Sequence, residues 1–120
     1  MRTRVLITVL PLLLFPAATA DAHAFLDHAD PRVGSTVHTA PHALTLWFTQ
    51  DLEPAFSNVE VRDASGGRVD SGEASFGAGG RNVMRIALKP LSPGTYTVSW
   101  RVLSVDTHTT EGTFSFHVGE

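Results

Sequence analysis

The 120-residue chain contains no cysteine. That removes disulfide scaffolds, thiolate metal clusters, catalytic cysteines and lipid-bearing cysteine anchors together. Lysine occurs once, as Lys89, and nine basic against twelve acidic residues give a formal charge of −3. With no local Lys/Arg cluster, such a balance excludes a nucleic-acid groove. Also missing are a Gly-rich phosphate loop after a strand, a nucleophile elbow and a His-Glu-x-x-His helix. The carboxylates are scattered, so no pair is set for acid/base work. No apolar run reaches the roughly 20 residues a membrane-spanning helix needs. Yet hydrophobic residues make up 42% and charged residues 18%, the composition of a chain that folds as one domain.

Residues 1–22 read as a cleaved secretory signal. Arg2 and Arg4 supply the positive start, Val5 to Phe15 the apolar run, Pro16 the break, and Ala20-Asp21-Ala22 the small-x-small cleavage pattern. Cleavage after Ala22 leaves residues 23–120, beginning at His23 and predicted to be soluble and periplasmic or otherwise exported. Lacking disulfides, this domain has to rest on a packed core.

The body alternates with period two. Leu44, Leu46 and Phe48 alternate with Thr45, Trp47 and Thr49; Met84, Ile86 and Leu88 with Val83, Arg85 and Ala87. Tyr96 to Val102 and Phe114 to Val118 repeat the pattern, and Asn58 to Arg62 is a shorter candidate. One face of each suits a core and the other water. Turn residues separate them at Asp30-Pro31, Val33-Gly34, Ala40-Pro41, Ser65-Gly66-Gly67, Gly77 to Gly80 and Ser92-Pro93-Gly94. The expectation is an all-β antiparallel sandwich or barrel of about seven strands with little or no regular helix. Ser71 to Arg81 reads as a flexible connection.

Against these absences, histidine stands out. There are six, at positions 23, 28, 38, 42, 108 and 117. As a new terminus His23 offers two nitrogens, the α-amine and ring Nδ1, which close a six-membered chelate around a metal. Two cis nitrogens suit tetragonal Cu(II), the strongest-bound ion of the divalent series. The amino-terminal mode that needs His at the third mature position is ruled out, because Phe25 stands there. The best companion for His23 is Asp106-Thr107-His108. Two residues apart in an extended segment, Asp106 and His108 point the same way. Amine, His23 ring, His108 ring and Asp106 oxygen make an N₃O set, and the carboxylate favours Cu(II) over Cu(I). By itself, Asp-x-His is also what a solvated turn contains.

His23-Ala24-Phe25-Leu26, Asp30-Pro31-x-x-Gly34, Ala40-Pro41 before Leu44 to Phe48, Pro93 to Arg101, and Ser104-x-Asp106-x-His108 through Gly112-x-Phe114-x-Phe116-x-Val118 fall in order. This series closely resembles the CopC family of exported copper-binding proteins, from His23 to Val118. The resemblance implies a seven-stranded Greek-key β-sandwich, cupredoxin-like or immunoglobulin-like, holding one Cu(II). Matched position by position, it carries the family's Cu(II) ligands onto His23, Asp106 and His108. Many relatives have a Met-rich segment that binds Cu(I), but none lies between Val61 and Val83 here. The only Met beyond the leader, Met84, reads as core. The chain therefore resembles the Cu(II)-only type. Where relatives often carry Phe-Ser/Thr-Glu, this chain has Phe48-Thr49-Gln50, and neutral Gln50 brings no charge to the metal.

His28 lies within chain reach of the metal. His38 and His42 read as surface groups, and His117 as solvent-facing with Glu111 as a weak secondary pair. Trp100 reads as a strand residue near the site. The resemblance implies a role in copper homeostasis or resistance, with a membrane partner of the CopD type; the expectation is a monomeric copper carrier or buffer without enzymatic activity. Two other functions compete: a β-sandwich interaction module without a specific metal, and a copper monooxygenase of the histidine-brace kind. Against the second stand the Asp ligand, the short chain and the lack of a flat aromatic surface.

Overall fold

Alternating apolar side chains recur on short segments broken by Gly and Pro, and such segments bury one face only by stacking two sheets. The computed structural model describes residues 24–120, with residues 3–5, 8 and 11 of the leading segment. The expected leader, its cleavage point and His23 lie outside the described residues. The strands are β1 (Leu26–Asp30), β2 (Thr36–Val37), β3 (Ala43–Phe48), β4 (Asn58–Arg62), β5 (Asp70–Gly77), β6 (Gly80–Leu88), β7 (Gly94–Leu103) and β8 (Thr109–Val118). One sheet has the order β1-β3-β6-β5 and the other β2-β8-β7-β4. Neighbours in space are mostly distant in sequence, the connectivity of a Greek-key sandwich.

The expected sandwich is the one found, with two refinements. Eight strands are drawn rather than seven, because Thr36–Val37 forms a two-residue ladder. That ladder pairs in parallel with β8, whereas the other pairings are antiparallel. Helix is limited, among the described residues, to one 3-10 turn at Pro54–Phe56. No described helix is long and apolar enough to cross a membrane.

The stretch read as a flexible connection is instead the β5–β6 hairpin. Ala74 pairs with Ile86, Ser75 with Arg85 and Phe76 with Met84, across a turn whose Gly77, Gly79 and Gly80 all have positive φ. Its glycines serve the turn and the irregular register of β5.

Between the sheets, Leu44, Leu46, Phe48, Met84, Ile86, Val98, Val102 and Phe116 are buried. Phe48 meets Trp100 edge-on with ring centres 5.2 Å apart, and Tyr96 stacks on Phe116 at 5.5 Å. Both separations are favourable for aromatic pairs. Trp100 lies over Gly112, its partner across the β7–β8 ladder. A β-carbon on Gly112 would come within 2.5 Å of Trp100 Cζ2.

Candidate metal centre

β7 ends at Leu103 and β8 begins at Thr109, so Ser104 to His108 must reverse the chain within five residues. Ser104 is fully buried although polar, and a buried hydroxyl must find partners. It bridges to Leu52 on the adjacent loop. Its N–H donates to the His108 carbonyl at 3.0 Å, and Thr107 N–H donates to the Ser104 carbonyl at 2.9 Å. Val105 N–H donates to the Asp51 carbonyl at 3.1 Å, tying the turn to the segment after β3.

The Ser104 side chain organises the two candidate ligands. Its Oγ accepts the His108 N–H at 3.3 Å and donates to Asp106 Oδ1. Asp106 Oδ2 then faces His108 Nδ1 at 3.6 Å. That gap is long for a hydrogen bond. An ion about 2 Å from each donor, the usual distance for a first-row divalent ion, can span it. Both side chains reach solvent, at 37% exposure for Asp106 and 51% for His108. The Ser104 hydrogen bond holds the Asp106 carboxyl below its ordinary range against the opposing effect of desolvation, and the His108 ring adds to the lowering. Asp106 is thus kept as the anion that a cation requires.

The expected meeting of Asp106 and His108 is found, but for a different reason. They were expected to align by strand alternation. The segment is instead a tight turn in which Thr107 takes φ 72°, the one left-handed non-glycine conformation among the described residues. Ser104 carries no role in the sequence pattern; a Ser directly after a strand and two residues before an Asp is its only signal there.

Ala24, next to His23, is fully buried. Its carbonyl accepts a hydrogen bond from Thr110 Oγ1 at 2.5 Å, two residues beyond His108. Phe25 N–H donates to Thr49 Oγ1 at 3.0 Å, and Thr49 N–H returns a bond to the Phe25 carbonyl at 2.9 Å. Ala24 therefore lies at the same end of the sandwich as the Asp106–His108 turn. No group of three or more metal-ligating side chains is found among the described residues.

A family model described as the CopC domain matches residues 26–119. The chain belongs to the CopC family. It is 35% identical over 108 residues to copper resistance protein C of Xanthomonas campestris pv. juglandis, covering 85% of this chain and 84% of that one. The crystal structure of CopC from Methylosinus trichosporium OB3b superposes with a TM-score of 0.75 at 33% identity, covering 81% of this chain and 94% of that one. PcoC from Escherichia coli, described as a methionine-rich copper resistance protein, gives a TM-score of 0.72 at 33% identity, covering 81% and 99%. The function of this CopC domain is accordingly copper-related. Unlike a methionine-rich relative it has only Met1 and Met84, and Met84 is fully buried in the core.

His28 does not swing towards the turn: it is fixed in β1 opposite Trp47. Gln50 is half-buried, next to Asp51, whose carbonyl ties this segment to the Ser104 to His108 turn. His38 and His42 are exposed as expected. His117 is exposed too and bonds Thr95 Oγ1 through Nδ1 at 3.1 Å. The suggested pairing of His117 with Glu111 fails, because five strand residues lie between them and Glu111 faces Arg101 across the ladder. A surface groove of about 540 Å³ between Asn58, Glu60, Arg101 and Glu111 contains neither candidate ligand.

Proposed function

We propose that the chain is exported, loses residues 1–22, and carries one Cu(II) as a copper carrier or buffer rather than an enzyme. The ligands are the α-amine and ring of His23, the His108 ring and Asp106 Oδ2. The observation that carries this reading is the 3.6 Å separation of Asp106 Oδ2 and His108 Nδ1 beside the anchored Ala24. Ala24 is one peptide from His23, and its bond to Thr110 ties it next to the turn. Nitrogen donors with one carboxylate suit Cu(II), and no thioether is at hand to favour Cu(I). Donors exposed at one end of a rigid sandwich can take up and release an ion without unfolding the domain. That suits delivery to a membrane partner of the CopD type, and a monomer suffices for it.

The test compares Cu(II) binding, in competition with a chelator, by protein whose mass shows His23 as first residue and by a form with one extra residue ahead of it. Tight one-to-one binding that falls at least a hundredfold in the extended form is the expected result. Equal, weak binding by both forms would leave the interaction-module reading in place.

A further inference from the structure

The outer face of the first sheet carries a second histidine–carboxylate pair, apart from the proposed copper ligands. In β1, Leu26 faces Phe48 but His28 faces Trp47, so Asp27 is the extra residue of a bulge. Bulges re-aim side chains, and this one leaves Asp27 and His28 both in solvent, whereas strict alternation would put neighbours on opposite faces. Asp27 Oδ2 lies 2.6 Å from His28 Nδ1. An ionised carboxylate only accepts, so Nδ1 carries the hydrogen and Nε2 of the neutral ring keeps its lone pair. The imidazole lies flat on Trp47, with ring centres 4.3 Å apart and planes within 9°. Its side chain is 56% exposed.

Carboxylate on one ring nitrogen and an open lone pair on the other is how proteins present histidine to a metal. The Trp47 face adds a second favourable element, since positive charge gained by the ring on metallation lies over an indole. Asp27 and Asp106 differ in use. Ser104 occupies one Asp106 oxygen and leaves the other facing His108, which makes a chelating pair. Asp27 is spent on orienting its histidine, which leaves a single donor.

We propose that His28, oriented by Asp27 and backed by Trp47, is a second, weaker Cu(II) site that binds through Nε2. It is distinct from the site at Asp106 and His108: it lies four positions along the chain from Ala24, up to roughly 13 Å at about 3.3 Å per residue, and on the sheet of β1 and β3, whereas the turn joins β7 to β8 of the other sheet. A monodentate site exchanges quickly and serves as a landing or departure point for copper passing to or from the tight site.

The experiment adds a second equivalent of Cu(II) to exported protein already holding one, following tryptophan fluorescence and the histidine NMR signals. The second equivalent is expected to quench Trp47 and to broaden His28 ahead of His38, His42 and His117. His28→Gln should remove this phase while leaving the first equivalent bound as before. Asp27→Asn should weaken it about tenfold. Trp47→Phe should abolish its fluorescence change but not the His28 broadening. Quenching that survives His28→Gln, or broadening spread evenly over the exposed histidines, overturns the proposal. Because the extended-terminus form disables only the tight site, failure of one reading is distinguishable from failure of the other.

Discussion

Ser104 is the residue on which the geometry of the turn depends. Its hydroxyl orients Asp106, receives the His108 N–H and is sealed from water. Replacing it with alanine removes both the hydrogen bond to Asp106 and the one accepted from His108 N–H, at a cost of about 1–3 kcal/mol. Ser104→Ala should lower copper affinity roughly tenfold, since oriented ligands lose their support, as read by chelator competition. The pH dependence follows from the lowered Asp106 acidity. A carboxyl held below its ordinary value of 3.8 contributes stability fully present above that value and lost as pH falls through the lowered one. Ser104→Ala removes the main cause of that lowering. Its acid-unfolding limb should therefore move to higher pH than the parent's, and an unmoved limb would contradict the role given to the hydroxyl.

At the scale of elements, the strands that bury a full apolar face were legible and the ones that depend on neighbours were not. β3, β6, β7 and β8 carry their own alternation. β5 does not: Ser71-Gly72-Glu73-Ala74-Ser75 has little strand preference and is recruited by pairing with β6. The two-residue β2 has no period to read. Likewise Asp106 and His108 were found by residue type, but the turn that joins them depends on a hydroxyl whose burial no local pattern announces. The Trp100–Gly112 contact is equally a product of pairing, and it gives the test of register. Gly112→Ala sets a β-carbon against the indole, an overpacking that costs about 1–3 kcal/mol. The variant should unfold at lower denaturant with an unchanged m-value, and its Trp100 emission should shift. Parent-like stability would mean that Trp100 does not lie over residue 112.

At the scale of the molecule, the core and the candidate metal site are separate structures. The buried cluster runs between the sheets from Ala29 and Leu44 to Phe116 and Val118 without using Asp106 or His108. In small metal-dependent domains, by contrast, the ion supplies the folding energy. Here copper is expected to add stability only by linkage, about 4.1 kcal/mol at a free concentration one thousand times Kd. Stripping the ion with a chelator should leave the far-UV dichroism and a single cooperative unfolding transition, with Tm lowered by that increment. The drop should depend on copper concentration in the parent and vanish in His108→Ala, whose imidazole is half exposed and outside the core. An apo chain that loses its β signal would make copper part of the fold. A chain that keeps it can give copper away and remain competent to collect more, which is what a carrier has to do.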